Sequence, residues 1–229
     1  MDQETLKERA AAEALEEVRS GMRLGLGTGS TIAHFLRLLA AAQDRGDLLG
    51  VAGVPTSERT AESCRELGIP TLSLSDHPEL DLAIDGADEV SPTLDLIKGL
   101  GGALLREKMV ACAAGRVVII ADESKLVRRL GEKSPLPVEV VRFEWRFHLG
   151  FLTDLGARPE LRRGTDGEPV ITDNGNFILD CRFPDGIEDP AQVDRQLLAR
   201  PGIVDHGLFL GMTDLACIAT AQGVRRLER

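Results

Sequence analysis

Strand-like and helix-like segments alternate over the first 125 residues, and this alternation constrains the fold more than any other feature. Short apolar segments are each followed by a longer segment with apolar residues at helical spacing. The predicted order is helix 3–19, strand 22–27, helix 30–42, strand 51–54, helix 57–67, strand 80–84, helix 103–114 and strand 117–121. This order predicts an α/β fold, with a parallel sheet covered by helices on both faces.

The pattern changes after about residue 130, where strands become more frequent. The predicted elements are strand 138–143, helix 145–155, strands 158–163 and 177–181, helix 190–198 and strand 203–209, with further strand material at 170–172. A β-α-β-β-α-β order is typical of a smaller α+β ferredoxin-like domain, although the middle could hold three short strands instead of two. An apolar strand at 215–220 returns to the first domain. We therefore expect one domain over 1–130 plus 206–229 and another over 131–205.

Composition excludes several functional classes. A net charge of −10, with seven Phe and one Trp, disfavours broad nucleic-acid binding. The charged N-terminal segment and the lack of a long apolar run predict a cytoplasmic protein that does not span a membrane. Neither the cysteines nor the histidines show metal-ligand spacing, so we expect no metal and four buried free thiols, at Cys64, Cys112, Cys181 and Cys217.

A first glycine-rich loop, 25–31, lies between a predicted strand and a predicted helix. The N–H groups at the start of the helix favour a phosphate, and Thr28, Ser30 and Thr31 add hydroxyls. A dinucleotide fingerprint needs glycine where Ser30 stands, and an ATP-binding loop needs a lysine that is absent. The loop therefore indicates a small phosphorylated ligand, unless it is only a packing turn.

Acidic residues follow the strand 80–84, in the order Asp85-Gly86-Ala87-Asp88-Glu89. The carboxyl ends of parallel strands line the ligand crevice in such folds. Carboxylates at that edge can bind sugar hydroxyls, although a solvated acidic loop would have the same sequence.

A second glycine-rich loop follows Lys98, and Glu107 lies shortly after it on the next predicted helix. Enolisation requires a cation near the developing oxyanion and a carboxylate near the C–H proton, which these two residues could supply. An exposed surface position is the alternative for Glu107. Lys125 follows the strand 117–121 and could reach a phosphate.

Together these segments closely resemble the type A ribose-5-phosphate isomerase family. The matching segments are GLGTGSTIAHF, GVPTSERT, DLAIDGADEV, KGLGGALLREK, ADESK, TDNGNFILD and PGIVDHGLF. They cover nearly the whole chain in the family's order. The best-known family pattern has glycine at the position of Leu100. This difference affects only the backbone freedom of that loop.

The resemblance implies a role for each matching residue. Glu107 matches the general base, Asp85 and Asp88 match acids that bind and open the sugar ring, and Lys98 matches a cation near the reacting oxygens. The remaining substrate contacts that it implies are Thr28, Gly29, Ser30, Thr31, Gly86, Ala87, Gly99, Leu100, Gly101, Lys125 and Lys7. The family implies a Rossmann-like domain with an inserted ferredoxin-like domain, assembled as a homodimer or homotetramer. It also implies isomerisation of ribose 5-phosphate and ribulose 5-phosphate without metal or organic cofactor.

Three other functions are compatible with parts of the sequence. A non-catalytic sugar-phosphate sensor would use a related sheet, but such regulators usually carry a DNA-binding segment for which no length is spare. An NAD-dependent oxidoreductase would need the fingerprint that Ser30 breaks. A sugar-phosphate deaminase or a CoA transferase would differ in the acidic and lysine loops.

Overall fold

The structure, a computed structural model, describes residues 2–229. Its helices are α1 (Gln3–Leu15), α2 (Ser30–Asp44), α3 (Glu58–Glu66), α4 (Leu104–Ala113), α5 (Phe147–Asp154) and α6 (Pro190–Leu198). Its strands are β1 (Arg23–Leu26), β2 (Ala52–Pro55), β3 (Leu82–Gly86), β4 (Glu89–Val90), β5 (Leu96–Ile97), β6 (Val117–Asp122), β7 (Leu136–Val140), β8 (Arg158–Leu161), β9 (Phe177–Arg182), β10 (Ile203–His206), β11 (Leu208–Phe209), β12 (Leu215–Thr220) and β13 (Gly223–Glu228).

The described residues form two compact units, and the first comprises residues 2–87, 106–125 and 211–229. Its six-stranded sheet has the order β13-β12-β6-β3-β1-β2. All neighbouring strands are parallel except β12 and β13, which form an antiparallel hairpin. The predicted parallel sheet and the return of strand 215–220 to it are therefore confirmed.

Burial explains why these segments form strands and helices. Every residue of β6 and β12 is buried, as expected for central strands covered on both faces. Helix α2 buries one apolar face, including Ile32, Phe35 and Leu39, in the core of this unit. Helix α3 begins after Ser57, whose hydroxyl accepts a hydrogen bond from the Thr60 N–H at 3.0 Å.

The second unit comprises residues 88–105 and 126–210. Strands β7 to β10 and helices α5 and α6 follow the predicted β-α-β-β-α-β order. The strands form an antiparallel sheet with the order β10-β7-β9-β8, which is the ferredoxin-like arrangement. Strands β11, β5 and β4 form a separate small antiparallel sheet.

Several predicted details were wrong. Residues 170–172 form no strand; the nearest pairing is an isolated bridge between Arg163 and Pro169, which flank a turn at 165–168. The predicted strand 203–209 is divided between β10 and β11 at Gly207. Cys112 is exposed on α4, whereas the other three thiols are buried and free as predicted.

Among residues 2–229, no helix is long and apolar enough to cross a membrane. The same residues contain no group of three or more His, Cys, Asp or Glu side chains placed to hold a metal ion. The predicted domains, 1–130 plus 206–229 and 131–205, remain a prediction, because the two compact units do not by themselves define domain boundaries.

Candidate active site

The first glycine-rich loop leaves the sheet at the carboxyl ends of its parallel strands. The Gly27 N–H donates to the Ile84 carbonyl of β3 at 3.0 Å, so the loop begins between β1 and β3. A Cβ atom on Gly27 would overlap the Asp85 carboxylate, which explains why glycine is required there. The strand order reverses at β1 and β3, and this switch point is where open α/β sheets bind ligands.

Helix α2 begins directly after this loop. Its N-cap residue, Gly29, has a φ of 131° and no side chain to occupy the first-turn N–H groups. Ser30 is exposed and Thr31 is half-buried. These N–H groups and hydroxyls form an arrangement suited to an anion.

Thr28 differs from its neighbours because its side chain is buried. Its hydroxyl lies 2.8 Å from the hydroxyls of Thr56 and Ser57 and 3.0 Å from that of Thr60. Thr60 also donates to the Gly27 carbonyl at 2.9 Å. We call these four side chains the hydroxyl cluster; it fixes the glycine loop from within the protein.

Asp85 lies near the end of β3 and is buried. One of its carboxylate oxygens accepts hydrogen bonds from the N–H groups of Thr28, at 3.1 Å, and Gly86, at 2.7 Å. The predicted acid and the predicted glycine loop are therefore in direct contact. This contact holds the carboxylate at the carboxyl edge of the sheet.

Glu107 lies in the first turn of α4 and is buried, with 4% of its surface exposed. Val110, one turn later on the same helix face, packs against Gly25 and Ala83 of the sheet. A crossover helix runs antiparallel to its strands, so its first turn lies at their carboxyl ends. The structure therefore contradicts the exposed-surface alternative and brings Glu107 to the same sheet edge as Asp85.

The two predicted phosphate-binding lysines also belong to this unit. Lys7 on α1 donates to Glu4 at 2.6 Å, and Glu4 in turn contacts His34 of α2 at 3.0 Å. Lys7 is therefore held near the first turns of α2. Lys125 ends a short 3₁₀ helix after β6 and is half-buried.

Asp122, the last residue of β6, links these elements. Burial acts to raise its pKa, but hydrogen bonds from Ser124 and the charge of Lys125 outweigh burial, and the pKa lies below its usual range. Gln3 of α1 contributes a further hydrogen bond to this carboxylate. Asp122 thus holds the Lys125 segment and the start of α1 together.

The second unit contains Asp88 and the loop Lys98–Gly101, which we call the lysine loop. The Leu100 N–H donates to Asp88 Oδ2 at 2.9 Å, so this predicted acid contacts the predicted loop directly. Lys98 is buried, with its ammonium 5.4 Å from the centre of the Phe209 ring. Its N–H donates to the Gly207 carbonyl at 2.9 Å.

Leu100 fits the loop without strain. Gly99 and Gly102 have φ values of 102° and 84°, whereas Leu100 does not have positive φ. The positions that favour glycine are therefore Gly99, directly before Leu100, and Gly102, just after the lysine loop, and not Leu100 itself.

Sequence reasoning missed several residues that support these loops. Ser57 and Thr60 lie in the predicted helix 57–67 and were not identified as partners of the glycine loop, although they contact Thr28. Arg162 was not identified, although it hydrogen-bonds two carbonyls of the lysine loop. No local motif marks Arg162, because the contact joins segments far apart in the chain.

Comparisons with known proteins agree with this geometry. The model of the ribose 5-phosphate isomerase A (phosphoriboisomerase A) family matches residues 52–223. The ribose-5-phosphate isomerase A of Roseiflexus castenholzii is 55% identical over 228 residues, covering 100% of this chain and 97% of that one.

Solved structures give the same result. A D-ribose-5-phosphate isomerase in complex with phospho-erythronic acid is 42% identical, with a TM-score of 0.97 and 100% of both chains covered. The ribose 5-phosphate isomerase of Plasmodium falciparum is 38% identical, with a TM-score of 0.96 and 99% of each chain covered. With sequence and fold in agreement over its full length, the chain belongs to the ribose 5-phosphate isomerase A family.

Proposed function

We propose that this chain interconverts ribose 5-phosphate and ribulose 5-phosphate by proton transfer through a cis-enediolate, with Glu107 as the base. Family membership supports the reaction itself. The observation that carries the mechanism is the buried carboxylate of Glu107 in the first turn of α4, at the carboxyl edge of the sheet.

The phosphate is assigned to the start of α2. Its uncapped N–H groups and the side chains of Ser30 and Thr31 can donate hydrogen bonds, and Lys7 and Lys125 supply positive charge. Phosphate binding there would anchor the substrate at a point remote from C1 and C2. Its binding energy would then serve to orient the reacting carbons.

Asp85 and Asp88 are assigned to sugar hydroxyls and to ring opening, which exposes the C1 aldehyde. The backbone of Gly86 and Ala87 lies between them in sequence and offers further polar contacts. Thr28 contributes through its backbone N–H, which orients Asp85.

The chemical step begins when Glu107 removes the C2 proton of the open-chain aldose. The electrons of that bond form a C1–C2 double bond, and the negative charge passes to the C1 oxygen. A proton then moves from the C2 oxygen to the C1 oxygen, and Glu107 returns its proton to C1. A free glutamate, with a pKa of about 4.3, is a weak base for such a carbon acid, so the oxyanion must be stabilised as it forms. Lys98 and the N–H groups of Gly99, Leu100 and Gly101 are the proposed donors.

The proposed reaction needs no organic redox cofactor, because isomerisation leaves the overall oxidation state of the sugar unchanged. It also invokes no metal, because Lys98 and the loop N–H groups are the proposed donors to the oxyanion. A small sugar phosphate is the proposed partner. We also propose a cytoplasmic location and assembly as a homodimer or homotetramer, as the family resemblance implies.

Turnover in D₂O tests the proposal. We expect ribulose 5-phosphate to form rapidly from ribose 5-phosphate and to gain deuterium at C1 over many turnovers. Conversion with complete retention of the original hydrogen would instead indicate a hydride shift. Binding of ribose 5-phosphate without conversion would favour the sensor function.

A further inference from the structure

Arg162 forms a paired ionic contact at the edge of the second unit's sheet. It follows β8, and its Nε donates to Oδ2 of Asp180 on β9 at 2.8 Å. Its Nη2 donates to the other carboxylate oxygen of Asp180. The side chains are only 12% and 25% exposed, so water screens this pair weakly.

The remaining nitrogen of the guanidinium is directed to the lysine loop. Nη1 of Arg162 donates to the Gly99 carbonyl at 2.9 Å and to the Leu100 carbonyl at 3.0 Å. Asp88 accepts from the N–H of Leu100. The peptide group between Gly99 and Leu100 is therefore held at its carbonyl by one side chain and at its N–H by another.

The next peptide group has a defined orientation for the same reason. In a trans peptide the N–H points away from the carbonyl, so the bond from Arg162 to the Leu100 carbonyl turns the Gly101 N–H to the opposite side. Gly101 is exposed, so this N–H lies in a residue that a ligand can approach.

A planar guanidinium suits this task in a way that an ammonium does not. Two of its nitrogens satisfy the carboxylate of Asp180 while the third contacts two carbonyls. Lysine has one charged nitrogen, so it cannot contact the Asp180 carboxylate through two nitrogens and the two loop carbonyls through a third. A glycine-rich loop has many accessible backbone conformations. Hydrogen bonds from a side chain outside the loop therefore restrict its backbone more than they would restrict a loop of other residues.

We propose that Arg162, held by Asp180, is a positioning residue for isomerisation: it fixes the lysine loop in the conformation that binds the enediolate. The inference rests on the proposed role of the lysine loop in oxyanion stabilisation. Arg162 acts through Gly99, Leu100 and their neighbours and does not itself touch the substrate.

The experiment compares Arg162→Lys with the matched control Arg163→Lys. Arg163 is the neighbouring exposed residue and contacts the Gly167 carbonyl instead of the lysine loop. We expect Arg162→Lys to lower kcat about 10- to 100-fold and to change KM less than about threefold, since small misplacements of a reacting group cost this much. The control should keep kcat within about twofold.

Binding of two probes separates positioning from a general structural role. Arg162→Lys should weaken phospho-erythronic acid, whose carboxylate resembles the enediolate oxygens, more than about tenfold. Inorganic phosphate, which probes only the phosphate site, should bind as in the parent protein. Equal weakening of both probes would contradict a role in positioning. Asp180→Asn provides a second variant with the same expected pattern if Arg162→Lys does not fold.

Lys98→Ala distinguishes failure of this inference from failure of the function on which it rests. Normal kcat in Arg162→Lys with a large loss in Lys98→Ala would overturn the inference alone. Normal kcat in both variants would overturn the assignment of the lysine loop as well.

Discussion

The acidic residues Asp85, Asp88 and Glu89 are close in sequence, but their carboxylates have different hydrogen-bond partners. Asp85 accepts N–H groups of its own sheet edge, and Asp88 accepts the Leu100 N–H. Glu89 is fully buried and accepts the N–H groups of Gly131 and Lys133 at 2.6 and 2.7 Å, and also that of Ser134. Glu89 therefore holds a structural turn, whereas the two aspartates remain the candidates for binding sugar.

Lys125 provides a test at the level of a single side chain. Lys125→Ala should raise KM for ribose 5-phosphate about tenfold and leave kcat within about twofold, because the proposed contact of the lost charge is with the phosphate and not with the reacting carbons. Steady-state kinetics at constant ionic strength measures both values.

Arg59→Ala is the matched control, since it removes a charge from an exposed position on α3 of the same unit. KM should not change in this variant. An unchanged KM in Lys125→Ala would remove Lys125 from the phosphate site.

At the level of elements, the hydroxyl cluster joins the loop after β1 to the start of α3. Thr60→Val keeps the branched shape but removes the hydrogen bond to the Gly27 carbonyl and the contacts of the Thr60 hydroxyl with those of Thr28 and Ser57. We expect a loss of about 1–3 kcal/mol in the free energy of unfolding and a higher KM, because the glycine loop is no longer fixed. Urea unfolding and steady-state kinetics test this.

Ser63→Ala on the same helix is the control, because Ser63 is half-buried and lies outside the hydroxyl cluster. It should change stability by less than about 0.5 kcal/mol. Equal stability of Thr60→Val and the parent protein would show that the cluster does not support the loop.

Helix α5 gives the protein a pH-dependent stability. Burial, followed by the charge of Arg200, lowers the pKa of His148, and neutral His148 accepts a hydrogen bond from Arg200 at 3.2 Å. Below about pH 6.5 the unfolded chain binds this proton more readily than the folded chain, so stability falls as pH falls. The slope from this residue is at most about 1.4 kcal/mol per pH unit.

Urea unfolding at pH 7.5, 6.5 and 5.5 measures this dependence. His148→Gln should flatten this pH dependence. The same slope in the parent protein and in His148→Gln would show that another group is responsible.

Elements with strong local signals were predictable. Helix α6 has the predicted bounds, because Asp189 caps it and Pro190 occupies its first turn. Strand β13 was missed, because an exposed edge strand containing Arg225 and Arg226 lacks the apolar pattern of a buried one. The Arg162 contact was also beyond prediction, since its partners are distant in sequence.

At the level of the whole molecule, the sequence predicted both the parallel sheet and the ferredoxin-like sheet, because apolar residues recur at clearly different spacings in strands and in helices. It also identified the acids and glycine loops at strand ends. The exact partners of each side chain depend on packing between distant segments, as with Thr28, whose hydroxyl is buried instead of exposed to a ligand.

Glu107 is the proposed base of the reaction, and its role is tested most directly by ribulose 5-phosphate formation by the parent protein and by Glu107→Gln. Glutamine keeps the size of the side chain but cannot accept the C2 proton. We predict rapid conversion by the parent protein and about a 10³-fold lower kcat in the variant, because the general base is lost, with ribose 5-phosphate still bound. Equal conversion by both proteins would contradict the assignment of Glu107 as the base while leaving the isomerase function in place.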